Sequence, residues 1–294
     1  MSVQAYKSFR FARGTKALIE SINKIIAEYQ AQGYVLTVRQ VFYQLVSRDV
    51  IPNTMREYKS VAKTINDGRL AGLIDWDAIE DRTRAFVTNS RWKTPQAILY
   101  SAAQSFHMDM WATQPCRVYL IVEKEALVGV FGRICHQYDI PLLAARGYPS
   151  ISVVREFAHT ELDNSTLTQN VHLLHFGDHD PSGIDMSRDL QERIELIMGH
   201  ADYKFTRCAL NMDQIKEQKP PENPAKTTDS RFAGYKKKFG TSSWELDALQ
   251  PAYLNGLVKS HVEPLIDVGK WAKRMKEIKK AKARLTEFAD AWGK

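Results

Sequence analysis

Cysteine is scarce. Cys116, Cys135 and Cys208 are the only three in 294 residues, far apart and without C-x-x-C spacing, which excludes a disulfide framework and a thiolate zinc site. They read as buried free thiols. No apolar run approaches the roughly 18 residues of a membrane span, and mean hydropathy is -0.38. The opening from Met1 to Phe11 carries Lys7 and Arg10 with no apolar stretch behind them, so no secretory signal is expected and the chain is expected in the cytoplasm. Repeats and low-complexity tracts are missing, as is any G-x-x-x-x-G-K-[ST] phosphate loop.

What remains is an ordinary globular composition, 44% apolar and 26% charged, long enough for one large or two modest domains. Basic residues number 41 against 34 acidic, a formal charge of +7. That balance favours a polyanionic partner such as nucleic acid, although many basic proteins bind none.

Leu18, Ile19, Ile22, Ile25, Ile26 and Tyr29 recur at helical spacing and stop at Gly33. Thr37 is placed to cap a second helix with the stripe Val38, Val41, Phe42, Leu45 and Val46, stopped by Ile51-Pro52-Asn53-Thr54. A third helix carries Tyr58, Val61, Ala62 and Ile65 and ends near Gly68 to Gly72. Three short helices suit a helix-turn-helix or winged-helix unit, or a plain helical bundle. A polar stretch from Thr88 to Pro115, with one helix near Ala97 to Phe106, is the expected domain boundary. Beyond it Val118 to Val122 and Val171 to Phe176 read as strands and Leu127 to Tyr138 as a helix, which implies a βαβ parallel sheet. Lys216 to Asp229 reads as an exposed loop. The tail from Lys259 reads as helix, with Lys279, Lys280 and Lys282 among its basic residues, either a solvated face or a phosphate-contacting arm.

Carboxylates stand where the apolar strands end, and open parallel sheets bind ligands at the carboxyl ends of their strands. Glu123 follows the first run directly; Asp178 and Asp180 follow the second through Gly177. Spaced i, i+2 in an extended segment, the two aspartates should aim the same way. Together the three suit Mg²⁺, a hard cation bound beside a phosphate. The alternatives are a turn at Asp180-Pro181-Ser182-Gly183 and a helix cap at Glu123. Tyr43 lies about 120° from the centre of its helix's apolar stripe and is expected to face out of the core. Arg39, one turn earlier, shares its side and could hold a phosphate or ease formation of a phenolate, whose pKa is otherwise about 10. The alternative is a packing or dimer-surface aromatic.

Five short motifs in order resemble the catalytic A subunit of topoisomerase VI and the related meiotic double-strand-break transesterase. Thr37-Val38-Arg39-Gln40-Val41-Phe42-Tyr43 resembles that family's winged-helix segment, and Ile121-Val122-Glu123-Lys124-Glu125-Ala126 its first Toprim motif. Asp178-His179-Asp180-Pro181-Ser182-Gly183 is similar to D-x-D-P-x-G. Gly147-Tyr148-Pro149 matches a family turn and Trp244-Glu245-Leu246-Asp247-Ala248-Leu249 a late E-x-x-A-L segment. Gln40 replaces the usual acid and Ser150 the usual aspartate.

The resemblance implies a winged-helix-like domain over 1–113 and a Toprim α/β domain over 114–294. It implies Tyr43 as nucleophile, with Glu123, Asp178 and Asp180 holding Mg²⁺, or Mn²⁺ in its place. The implied activity is cleavage of double-stranded DNA by transesterification, leaving a 5′-phosphotyrosyl link, in a nucleoid-associated homodimer. Without a phosphate loop, and too short for an ATPase domain as well, the chain is expected to resemble stand-alone prokaryotic or mobile-element relatives. A separate ATPase or regulatory subunit is a further candidate partner. A Toprim nuclease using water, or a non-catalytic DNA-binding factor needing a partner, are the other readings.

Overall fold

The computed structural model describes residues 3–79, 89–159, 169–198 and 203–292. Thr88, where the boundary stretch is expected to begin, lies outside them.

Three helices open the chain: α1 (Arg13–Ala31), α2 (Val38–Ser47) and α3 (Met55–Leu70). Thr37 caps α2 as its sequence requires, accepting the Gln40 N–H at 3.3 Å while the Gln40 side chain accepts the Thr37 N–H at 2.8 Å. Gln40 thus completes a reciprocal capping box that satisfies two otherwise orphaned donors. The inward residues of the three helices form one core with Leu36, Ile74 and Ile79. Helix α3 ends at Leu70, within the expected Gly68 to Gly72 window, and Gly68 in its last turn leaves room for Ile74, whose Cδ1 would lie 2.8 Å from a Cβ there. After α4 (Pro95–Ser105) the chain enters the sheet.

The second half runs β1 (Cys116–Val122), α5 (Val128–Gln137), β2 (Leu142–Ala144), α6 (Ile151–Phe157), β3 (Asn170–Phe176), α7 (Pro181–Met198) and β4 (Tyr203–Ala209). It continues through α8 (Met212–Gln218), β5 (Asn223–Pro224), α9 (Phe232–Phe239), β6 (Ser242–Ser243), α10 (Pro251–Val262) and α11 (Val268–Ala291). Strands β1 to β4 pair in parallel in the order β2-β1-β3-β4. Helices cover both faces, as parallel sheets demand. Val118, Leu120 and Val122 of β1 pack with α5 and α10, while Tyr119 and Ile121 pack with α6 and α7, the period-two alternation of a strand buried on both sides.

The stretch 216–229 is not simply a loop. Its first residues end α8, and Asn223–Pro224 pairs antiparallel with Ser242–Ser243. Helix α4 lies antiparallel along α11, with Gln96 Nε2 donating to Ala289 O at 2.9 Å and Lys282 Nζ to Gln104 O at 2.7 Å. Among the described residues no helix is long and apolar enough to cross a membrane.

Candidate functional site at the carboxyl ends of the strands

The chain leaves β1 toward β2 on one side, while β3 lies on the other, so the sheet's switch point falls between β1 and β3, where α/β folds leave a crevice. Their register is level there, Val122 opposite Phe176, and Glu123 N–H donates to Phe176 O at 2.9 Å. Glu123 and the Gly177-Asp178 segment therefore emerge side by side. Glu123 Oε2 accepts the Asp178 N–H at 2.9 Å. Asp178 Oδ1 accepts the Leu246 N–H at 2.8 Å, and its Oδ2 faces Lys124 Nζ at 2.9 Å. Asp180 is engaged elsewhere, its Oδ1 accepting the Gly183 N–H at 2.6 Å at the start of α7. The i, i+2 spacing thus brings both aspartates to the crevice without giving them a common aim. Among the described residues no group of three or more His, Cys, Asp or Glu stands arranged to hold a metal ion.

Two glycines make this packing possible. A Cβ on Gly177 would lie 2.9 Å from Glu123 Oε2, and one on Gly183 would lie 2.3 Å from Asp178 O, closer than real side chains approach. Gly183→Ala should therefore displace the Asp178 loop and destabilise the protein by about 1–3 kcal/mol, as overpacking does. Gly132→Ala in α5, where a Cβ meets nothing within 4 Å, should instead be neutral or stabilising by up to about 1 kcal/mol. Urea melts of the two variants check the contrast.

Arg207 of β4 holds the loop from behind. Its Nη2 donates to Gly177 O at 3.2 Å and Asp178 O at 2.5 Å, and its Nη1 to Gly183 O at 3.0 Å and Ser187 Oγ at 2.5 Å. Ser187 Oγ pairs in turn with His175 Nδ1 at 3.1 Å. Sequence reasoning missed Arg207; a charged residue in the middle of a short β-forming run was the available signal.

The segment 244–249 joins the two halves of the molecule. Leu246 and Leu249 belong to the sheet core and Ala248 to the helical core. Between them Glu245 and Asp247 face two cations from different elements. Lys124 Nζ lies 2.6 Å from Glu245 Oε2 and 2.9 Å from Asp247 Oδ1. Arg39 of α2 pairs with Glu245 through Nη2, and its Nε stands 3.2 Å from Asp247 Oδ2. Arg39 is therefore committed to two acids, with its guanidinium 5.9 Å from the centre of the Tyr43 ring.

Tyr43 does not face out of the core. It is 3% exposed, packed edge-on against Phe42 with ring centres 5.3 Å apart. Tyr43 joins the core of the three helices, and the 244–249 segment packs against α2, where Gln40 and Gln44 are buried as well. Tyr43 lines a cleft of about 110 Å³ with Arg39, Tyr58, Asn223 and Glu245. Burial, reinforced by Glu245 and Asp247, pushes its hydroxyl up to about 12, and Arg39 does not offset them. The phenolate expected to be eased is instead disfavoured in the free protein.

The carboxylates are split by their surroundings. Burial, with Glu123, Asp247 and Glu245 nearby, pushes Asp178 up to about 7 despite Lys124. Burial and Asp180 likewise raise Glu123. Burial alone would raise Glu245, but Lys124 and Arg39 hold it down at about 2. Behind them, burial and the charge of Arg207 depress His175 to about 3 and His179 to about 4. Between pH 7 and 5 these histidines bind protons only when unfolded, which lowers stability as pH falls; Asp178 and Glu123, protonated more readily when folded, act the other way. Half-buried His172, also depressed by burial, adds to the histidine side. Metal-free protein should therefore lose stability as pH falls through this window. Thermal melts in EDTA test it, and a melting point that rises on acidification would show that the carboxylates dominate.

Lys279 and Lys280 are exposed on α11, whereas Lys282 is half-buried and engaged with Gln104. Ser150 caps α6, accepting the Val153 N–H at 3.3 Å. Models of known protein families match no part of the chain, and no curated protein matches it.

Proposed function

We propose that the protein cleaves double-stranded DNA by transesterification through Tyr43, as a homodimer, with a winged-helix-like unit presenting the nucleophile and a Toprim-type sheet presenting Glu123, Asp178 and Asp180. The observation that carries this reading is that Glu123 and Asp178 meet at the β1/β3 crevice with Asp180 two residues on, tied to the Tyr43 cleft by the Arg39, Glu245 and Lys124 ion pairs. Tyr43 Oη attacks a backbone phosphorus, the bond to O3′ breaks, and the phenolic proton passes in net to O3′. The protein is left joined to the 5′ end, and the conserved phosphoester energy allows religation. Arg39, beside the Tyr43 ring, neutralises phosphate charge once it is released from Glu245 and Asp247.

The carboxylate oxygens of Glu123, Asp178 and Asp180 fit a hard divalent cation such as Mg²⁺ or Mn²⁺, and Glu123 and Asp178, buried with raised proton affinity, gain most from one. When bound, it supplies electrostatic stabilisation of the charge that develops on the phosphate. Lys279 and Lys280 are proposed phosphate contacts; neutralising both should lower the slope of log affinity against log salt by about 1.8. An unchanged slope returns α11 to a solvated face.

The burial of Tyr43 favours a second reading, a Toprim nuclease in which water attacks and Tyr43 only packs. Incubation with supercoiled plasmid and Mg²⁺, followed by gels with and without protease digestion, separates them. Transesterification leaves ends that migrate freely only after protease; hydrolysis leaves ends indifferent to it. A plasmid left intact by purified protein speaks for a DNA-binding factor that needs a partner.

A further inference from the structure

The charges around Lys124 divide unevenly. Arg39 and Lys124 are matched by Glu245 and Asp247, which each of them contacts. Asp178 is the third acid on Lys124, 2.9 Å from its Nζ, and Glu123 and Asp180 stand beside it with Arg207 as the other cation nearby. Both Asp178 oxygens are engaged, Oδ1 by the Leu246 N–H and Oδ2 by the Lys124 ammonium. The Lys124 side chain is 18% exposed, so water does little to screen it from a second cation placed against the same carboxylate. Lys124 can leave Asp178 without losing its other partners, because Glu245 Oε2 and Asp247 Oδ1 already lie 2.6 and 2.9 Å from it.

We infer that Lys124 is the resident counter-ion of the strand-end carboxylates, a positioning residue that a divalent cation displaces from Asp178 onto Glu245 and Asp247. The inference rests on the metal reading given above. It has a consequence at the other end of the ion-pair chain: once Lys124 is held by Glu245 and Asp247 alone, Arg39 competes with it for the same two acids. Its grip on them weakens beside Tyr43, so that cation binding at the sheet and the freeing of Arg39 for a phosphate are linked.

The test uses the full chain, stripped of metal, with Mn²⁺ as probe and no DNA. Binding is read from the loss of the free Mn²⁺ paramagnetic resonance signal and, independently, from the Mn²⁺-induced rise in melting temperature. Lys124→Met should bind Mn²⁺ about tenfold tighter or more than the wild type, since a competing charge is gone. It should also melt lower in EDTA and gain more from Mn²⁺. Lys124→Arg, which keeps the charge, should stay close to the wild type. Should Lys124→Met fail to fold, Lys124→Gln carries the same expectation with a polar side chain. Unchanged or weaker Mn²⁺ binding by a folded, charge-removing variant overturns the resident counter-ion and leaves the metal reading standing. Absence of Mn²⁺ binding by wild type and variant alike, or binding that Asp178→Asn does not weaken, removes the metal reading and the inference with it.

Discussion

Tyr43→Phe is expected to abolish covalent attachment of protein to DNA while leaving DNA affinity within about twofold and the fold intact. The cause is geometric. At 3% exposure the Tyr43 ring is part of the helical core, edge-on to Phe42, and phenylalanine keeps that ring, its packing and its contact with the Arg39 guanidinium. Only the hydroxyl goes, and with it the one atom that could bond to phosphorus. Loss of a nucleophile of this kind reduces turnover by orders of magnitude, about 10⁴-fold or more where nothing substitutes for it. Labelled DNA, trapped with denaturant and resolved before and after proteolysis, measures the attachment. Full cleavage by the phenylalanine variant would transfer the chemistry to water and leave Tyr43 a packing residue.

Glu123→Gln should remove metal-dependent cleavage, by about 10²-fold or more, and at the same time raise the melting temperature of the metal-free protein near neutral pH. The two effects have one cause. Burial, with Asp180 close by, disfavours the ionised form of Glu123, so its charge costs stability that only a cation would return. Glutamine has the same shape, and its carbonyl oxygen can still accept the Asp178 N–H that Glu123 Oε2 accepts at 2.9 Å. Asp178→Asn is the less clean variant, because it turns an amide donor or a neutral oxygen toward the Lys124 ammonium. A stabilised but inactive Glu123→Gln protein is the signature of a functional carboxylate. A destabilised one would mark Glu123 as structural, and an active one would refute the site.

Much of the local structure was legible because it depends on neighbours in sequence. The three N-terminal helices follow from apolar residues repeating at three and four, and the start of α2 from the cap at Thr37. The β1 and β3 runs announce strands buried on both faces, and their abrupt endings at Glu123 and Gly177 locate the crevice once the sheet is parallel. Illegible were the partners. Lys124 stands next to Glu123 in the chain, yet nothing local says that it reaches across to residues 178, 245 and 247. Arg207 gave no sign that its guanidinium would gather carbonyls from Gly177, Asp178 and Gly183.

The sequence by itself determined the three N-terminal helices, the β1 and β3 strands and which carboxylates stand at their ends, since periodicity, capping and burial preference act over a few residues. Tertiary structure alone decided the environment of each functional group. Tyr43 is buried and Arg39 engaged because segment 244–249, distant in the chain, closes over α2. Asp178 and Glu245 have proton affinities driven in opposite directions although they share one lysine. Coulomb interaction and desolvation act through space at a few ångströms regardless of separation along the chain. A pattern read along the chain therefore finds the acids, but only the folded arrangement says which of them is free to do chemistry.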